Sequence, residues 1–184
     1  MPISKTILPA LILSLSAAAF AEEFTLSSNS LPPQGTLPAA HVLNGFGCTG
    51  QNLSPALAWK NIPAGTRSIA VTMYDPDAPT GSGWWHWVVV NIPGTTQALA
   101  QGAGKPQAKL LPTGARQVRT DFGEPGYGGA CPPAGDKPHR YIFTVHALKV
   151  ESLDLPDNAT AALAGFMINA NTIGKASLTV HYGR

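Results

Sequence analysis

The chain has 184 residues and a formal net charge of only +2, with 12% charged and 44% hydrophobic residues. That balance, with no basic arm and no acidic tail, argues against a nucleic-acid binder held by phosphate contacts. The length suits one domain with a substantial core behind a leader, and no later segment approaches the ~20 apolar residues of a membrane span.

Residues 1–21 read as a secretory signal. Lys5 gives the positive start, residues 7–15 an apolar run interrupted by Pro9, and Ala19-Phe20-Ala21 a small-x-small cleavage site. A membrane anchor is the competing reading, but the run is too short and too interrupted for one. Cleavage after Ala21 leaves a single domain at 22–184, periplasmic or secreted. Cys48 and Cys131 are the two cysteines. An even count in an oxidising compartment favours a disulfide between them, against two separate buried thiols.

Residues 24–27 (FTLS) alternate as a first strand would, 28–38 are turn-rich, and 45–55 (GFGCTGQNLSP) are irregular. A short strand at 57–59 precedes a turn at 61–66. The runs 69–74 (IAVTMY) and 87–92 (WVVVNI) are β-branched, aromatic and too short for typical helices, so they predict two strands. Between them, Asp-Pro, Ala-Pro and Gly-Ser-Gly force the chain to turn. Asp75, Asp77 and His86 therefore meet at one end of a sheet, on chain stiffened by Pro76 and Pro79. Such an end is either a pocket or a polar hairpin tip.

Residues 93–124 read as surface loop with a short strand or helical turn. Residues 123–138 (GEPGYGGACPPAGDKP) are too dense in Gly and Pro for regular structure, yet can bring backbone N–H groups close to a ligand. A strand follows at 140–148. Asp157 or Asn158 is placed to cap a helix over 159–173 that ends at Gly174, and 177–182 (SLTVHY) makes a final strand. The sum is a mainly β domain with peripheral helix.

Alternation puts Trp85 and Trp87 on the face opposite His86, and the tryptophans Trp84, Trp85 and Trp87 read as core aromatics rather than a platform for bases. His41, His146 and His181 read as structural or surface histidines. No G-x-S-x-G places a serine beside a base, and Asp75 and Asp77 are too close in sequence for a paired-carboxylate glycosidase. The Asp and His spacing carries no metal-ligand signature. Neither an enzyme, a metal site nor a cofactor is expected.

Three stretches together resemble the phosphatidylethanolamine-binding protein (PEBP) family, which includes Raf-kinase inhibitor-type proteins: DPDAP at 75–79, WHWVVVNIP at 85–93 and YGGACPPAGDKPHRY at 127–141. Asn52-Leu53-Ser54-Pro55 with Trp59, and Ile62-Pro63-Ala64-Gly65-Thr66, support the match. The two cysteines and the exported context are most similar to the bacterial YbhB/YbcL-type branch. The resemblance implies a PEBP-like fold, a large antiparallel or mixed sheet packed on a smaller one with helices at the edge. It also implies a small surface cavity for anions of phosphate or phospholipid head-group type.

By motif matching, Asp75, His86 and His139 line that cavity, Tyr141 offers its hydroxyl, and Tyr127 closes one side. The Cys131-Pro132 wall turns the Cys131 backbone N–H to the anion. Asp77 braces the loop, Trp85 is a supporting residue, and Arg140 is a buried salt-bridge partner or a loop clamp rather than an anion ligand. Imidazole N–H, tyrosine O–H and backbone N–H suffice for a phosphate ester without a lysine. An ionised Asp75 cannot touch an anion, so it is assigned to an imidazole N–H, with a protonated Asp75 beside the ligand left open. Anion binding is expected to tighten in mild acid.

Two functions follow: a non-catalytic, exported carrier or sensor of a small anion, or a kinase- or protease-inhibitor-like module. The second would act on an extracytoplasmic or host protein through the cavity region. Both a monomer and a homodimer are compatible with the chain.

Overall fold

The computed structural model describes residues 22–184, so the expected export signal over 1–21 lies outside the described residues. Along the chain come β1 (Thr25–Ser27), β2 (Asn44–Gly45), β3 (Cys48–Thr49), β4 (Leu57–Lys60), β5 (Ser68–Asp75) and β6 (Trp84–Pro93). They are followed by β7 (Ala98–Leu99), β8 (Arg116–Gln117), β9 (His139–Leu148), the helix α1 (Ala161–Asn171) and β10 (Thr172–Tyr182). Short 3-10 turns lie at Ala39–His41 and Pro106–Ala108.

The expected mainly β fold is present. Five strands form one sheet in the order β10-β9-β5-β6-β8, three form a smaller sheet β1-β4-β7, and β2 and β3 make a separate hairpin. Every strand ladder is antiparallel, which removes the mixed alternative. Instead of several edge helices, the described residues contain one α-helix and two 3-10 turns.

The large sheet is apolar on both faces because each has something to bury. One face, with Ile69, Val71, Met73, Val89, Phe143 and Val145, packs on Leu57, Trp59 and Leu99 of the small sheet. The other, with Ala70, Val88, Val90 and Leu148, packs on Ala161, Ala164 and Ile168 of α1 and on Leu153 and Leu155 before it. That two-sided burial is why β5 reads as a continuous apolar run rather than an alternating one.

The helix is shorter than expected. Its cap is Thr160, whose Oγ1 accepts from Leu163 N at 3.2 Å, and not Asp157 or Asn158. Its end comes two residues early because Thr172 onward pairs with β9, from Thr172 opposite Leu148 to Tyr182 opposite His139. The tertiary ladder overrides local helix propensity there.

Candidate functional site

The β5–β6 ladder carries a bulge: Met73 pairs with Trp87 and Tyr74 with Trp85, leaving His86 as the extra residue. A bulge re-aims side chains, and this one breaks the alternation expected around His86. Trp85 lies against the helix layer, but Trp87 joins Tyr127 and Tyr141 in the core on the other face. The expectation that Trp87 shares Trp85's face is therefore corrected. Trp84 turns to the site.

His86 lies beside a cavity of about 160 Å³ at the end of the large sheet. Its floor takes Asp75 from β5, His86 from β6, and His139 and Tyr141 from β9. Its walls are Pro79, Trp84, Phe122, Cys131, Pro132 and Phe46. Of the two readings of the 75–86 turn, a pocket or a hairpin tip, the structure forms a pocket. Six of the seven expected ligand-facing residues line it: Asp75, His86, Cys131, Pro132, His139 and Tyr141. Tyr127 does not. Its buried hydroxyl donates to the His41 carbonyl at 2.8 Å and its ring meets Trp87, so it supports the core behind the site. Burial pushes the Tyr127 hydroxyl pKa upward, as expected of a neutral donor.

Each floor residue is oriented by a specific bond. His139 donates from Nδ1 to Asp75 Oδ2 at 2.8 Å, while Asp75 Oδ1 accepts the Asp77 N–H at 2.8 Å. Asp75 thus holds an imidazole. The other nitrogen of His139, Nε2, lies 3.4 Å from Asp136 Oδ2 at the surface. His86 donates from Nδ1 to the Gly128 carbonyl at 2.8 Å. A carbonyl can only accept, so this bond fixes the proton on Nδ1 and makes Nε2 an acceptor in the neutral ring. Burial pushes the His86 pKa down, opposed by the Gly128 carbonyl and the Asp75 charge. Gly128 is required here: a Cβ would come within 2.2 Å of the Phe122 ring that packs edge-on against His86.

Asp77 and Arg140 do the bracing. Both Asp77 oxygens accept from the Arg140 guanidinium, at 2.6 and 2.9 Å, and Oδ2 also accepts the Arg140 backbone N–H at 2.8 Å. This fork ties the 76–83 turn to the start of β9, and its hydrogen bonds hold the Asp77 carboxyl down at about 2. Arg140 is the exposed clamp of the two alternatives, not a buried ion pair.

Two donors in the site have no partner. Tyr141 Oη and Trp84 Nε1 are the buried side-chain polar atoms without a hydrogen bond among the described residues, and both residues line the cavity. Trp84, Phe122 and Phe46 were not expected there. Trp84 was hidden by the bulge, and the Phe residues come from loops that local pattern does not place. Across the wall, Cys48 and Cys131 are joined, with Cα atoms 6.0 Å apart. Among the described residues no group of three or more His, Cys, Asp or Glu is gathered to hold a metal, and no helix is long and apolar enough to cross a membrane.

A two-layer antiparallel fold with an Asp, two His and a Tyr on the floor of one terminal cavity defines the class. The family profile of phosphatidylethanolamine-binding protein matches residues 27–183, and the chain belongs to that family. It is 51% identical to the YbcL protein of Escherichia coli over 179 residues, covering 97% of this chain and 98% of that one. It is also 53% identical to YbhB of the same organism over 157 residues, or 85% and 98% of the two chains. A Mycobacterium tuberculosis chain named lipoprotein LppC is 35% identical over 158 residues, which is 86% of this chain and 71% of that one. The crystal structure of E. coli YbcL, described as a member of the mammalian PEBP family, superposes with a TM-score of 0.86 at 54% identity, covering 89% and 99% of the chains.

Proposed function

We propose that this protein is an exported, non-catalytic binding protein for a small anion of phosphate or phosphorylated head-group type, held over His86 and Tyr141 in the cavity that His139 also lines. The observation that carries the reading is the pair of buried, unpartnered donors, Tyr141 Oη and Trp84 Nε1, on two residues that line one cavity. Leaving a buried donor unmatched costs roughly 1–3 kcal/mol, and a ligand rich in acceptor oxygens removes that cost for both at once. Neutral His86 accepts a hydrogen bond at Nε2 from a protonated phosphate oxygen, or donates one once charged. Either way anion and proton enter together, so affinity rises as pH falls through the second phosphate pKa of about 6, and burial of His86 delays any charging of the ring to lower pH. Asp75 stays out of direct contact by holding His139. Export is supported by the signal-like residues 1–21, by the Cys48–Cys131 disulfide and by the likeness to a chain named as a lipoprotein.

The test is titration of inorganic phosphate and phosphorylethanolamine into residues 22–184, read by calorimetry and histidine NMR, with Tyr141→Phe in parallel. The expected result is saturable binding, weakened about tenfold in Tyr141→Phe and tightened between pH 7.5 and 5.5. Absence of saturable shifts in the unsubstituted protein would overturn the reading.

A further inference from the structure

The mouth of the cavity carries a residue whose backbone is unfavourable for it. In the β2–β3 hairpin, Gly45 pairs with Cys48, leaving Phe46 and Gly47 as a two-residue turn. Both are in the left-handed region, with φ of 52° and 82°. Turns with positive φ at both central positions favour Asn-Gly, and a bulky residue at the first is a strained choice. Yet the Phe46 side chain is 72% exposed, so it is not there to fill the core. It lines the cavity mouth and stacks on Phe122, with ring centroids 6.0 Å apart and planes 25° from parallel. Phe122 in turn meets Trp84 edge-on at 5.4 Å. An aromatic wall thus runs outward from the polar floor.

The turn is also held twice. Cys48, just after it, is bonded to Cys131 of the opposite wall. Arg184 reaches across the same joint, donating from Nε to the Pro132 carbonyl at 2.8 Å and from Nη1 and Nη2 to the Gly47 and Phe46 carbonyls at 3.3 Å each. A strained, exposed aromatic fixed by two independent ties at a ligand cavity points to use of the ring itself.

We infer that Phe46 and Phe122 form a second subsite, taking a flat apolar group attached directly to the anion, and that Arg184 is its positioning residue. The preferred ligand is then an aromatic phosphate monoester rather than inorganic phosphate. The anion sits over the His86 and Tyr141 floor and its ring lies on Phe46. This rests on the anion-binding reading of the same cavity.

Calorimetry with inorganic phosphate, methyl phosphate and phenyl phosphate separates the two ideas. In the unsubstituted protein phenyl phosphate should bind about tenfold tighter than methyl phosphate, the scale of one buried aromatic contact. Phe46→Asn restores the residue the turn favours, so it should raise Tm while bringing the phenyl-to-methyl affinity ratio to about one. Arg184→Gln should lower that ratio as well, a selectivity readout that a purely stabilising contact would not move. Equal affinity for the two esters, or a ratio untouched by Phe46→Asn, overturns this subsite and leaves the anion reading standing. No saturable binding of any of the three overturns both.

Discussion

His146 offers a measurement whose size can be worked out in advance. It lies in β9, opposite Ala70 of β5 and Lys175 of β10, buried to 7% exposure with only long contacts to Thr72 Oγ1 at 3.4 Å and Thr172 Oγ1 at 3.5 Å. Burial first, and the Lys175 charge second, push its pKa from 6.5 down to about 4. The folded value is below the unfolded one, so the unfolded chain binds the proton more readily. Stability from the neutral imidazole is therefore fully present above pH 6.5, falls as pH drops through the window to about 4, and is lost below it. At 1.36 kcal/mol per unit, the whole shift is worth about 3 kcal/mol, of which about 2 kcal/mol is gone by pH 5. Buried His86, also shifted downward, adds to the loss in the same direction. His146→Gln keeps a polar side chain for Thr72 and removes the titration. Urea unfolding at half-unit steps from pH 7.5 to 4.5, disulfide intact, should give a shallower stability-against-pH curve for the variant. Parallel curves would refute the linkage and mean that His146 is hydrated or charged in the folded protein.

Four further outcomes are expected. Replacing both Cys48 and Cys131 with Ala opens a link across a sequence separation of 83, and the chain-entropy model sets its ceiling at about 4–5 kcal/mol; an unchanged urea midpoint would refute a stabilising bridge. Tyr141→Phe removes an unmatched buried hydroxyl, so without ligand it should be about 1 kcal/mol more stable than the parent even as anion affinity falls; a lower Tm would mean that the hydroxyl is satisfied in the folded protein. Thr160→Ala, which deletes the α1 cap, should cost about 1 kcal/mol in urea unfolding. Carboxyl NMR should find Asp77 titrating near 2, returning toward 3.8 in Arg140→Ala because the guanidinium hydrogen bonds are its main cause.

What the sequence made legible was local. Two β-branched runs around a Pro-rich turn predicted β5 and β6 and brought Asp75 and His86 to one sheet end, and the family motifs added His139 and Tyr141 from the far strand. What it concealed was set by pairing over distance. The stretch 172–176 reads as helix end and loop, yet it runs as β10 because β9 offers it a ladder. The two-residue strands β7 and β8 inside 93–124 exist only through partners on β4 and β6. The bulge at His86 depends on the register with β5, so simple alternation misplaced Trp87 and overlooked Trp84. Tyr127 matched a motif but its hydroxyl was already committed to His41. Gly45-Phe46-Gly47 lies in a stretch that reads only as irregular, and its left-handed turn is set by the β2–β3 pairing.

Several features that weaken this fold meet at one cavity. Among the described residues the unmatched buried side-chain donors are Tyr141 and Trp84, on the walls of a single cavity. The same cavity holds an imidazole whose charged form is penalised by burial, and a phenylalanine in a left-handed turn. The unmatched donors and the left-handed phenylalanine are each unfavourable by roughly 1–3 kcal/mol in the protein alone. Substitutions that remove these costs are simple: phenylalanine for Tyr141, asparagine for Phe46. A cavity shaped only by folding would lose such features readily, because stabilising changes are easy to reach. Their meeting at one cavity fits the anion-binding proposal, in which a ligand matches the unpaired donors. The disulfide and the Arg184 ties join the walls at its rim.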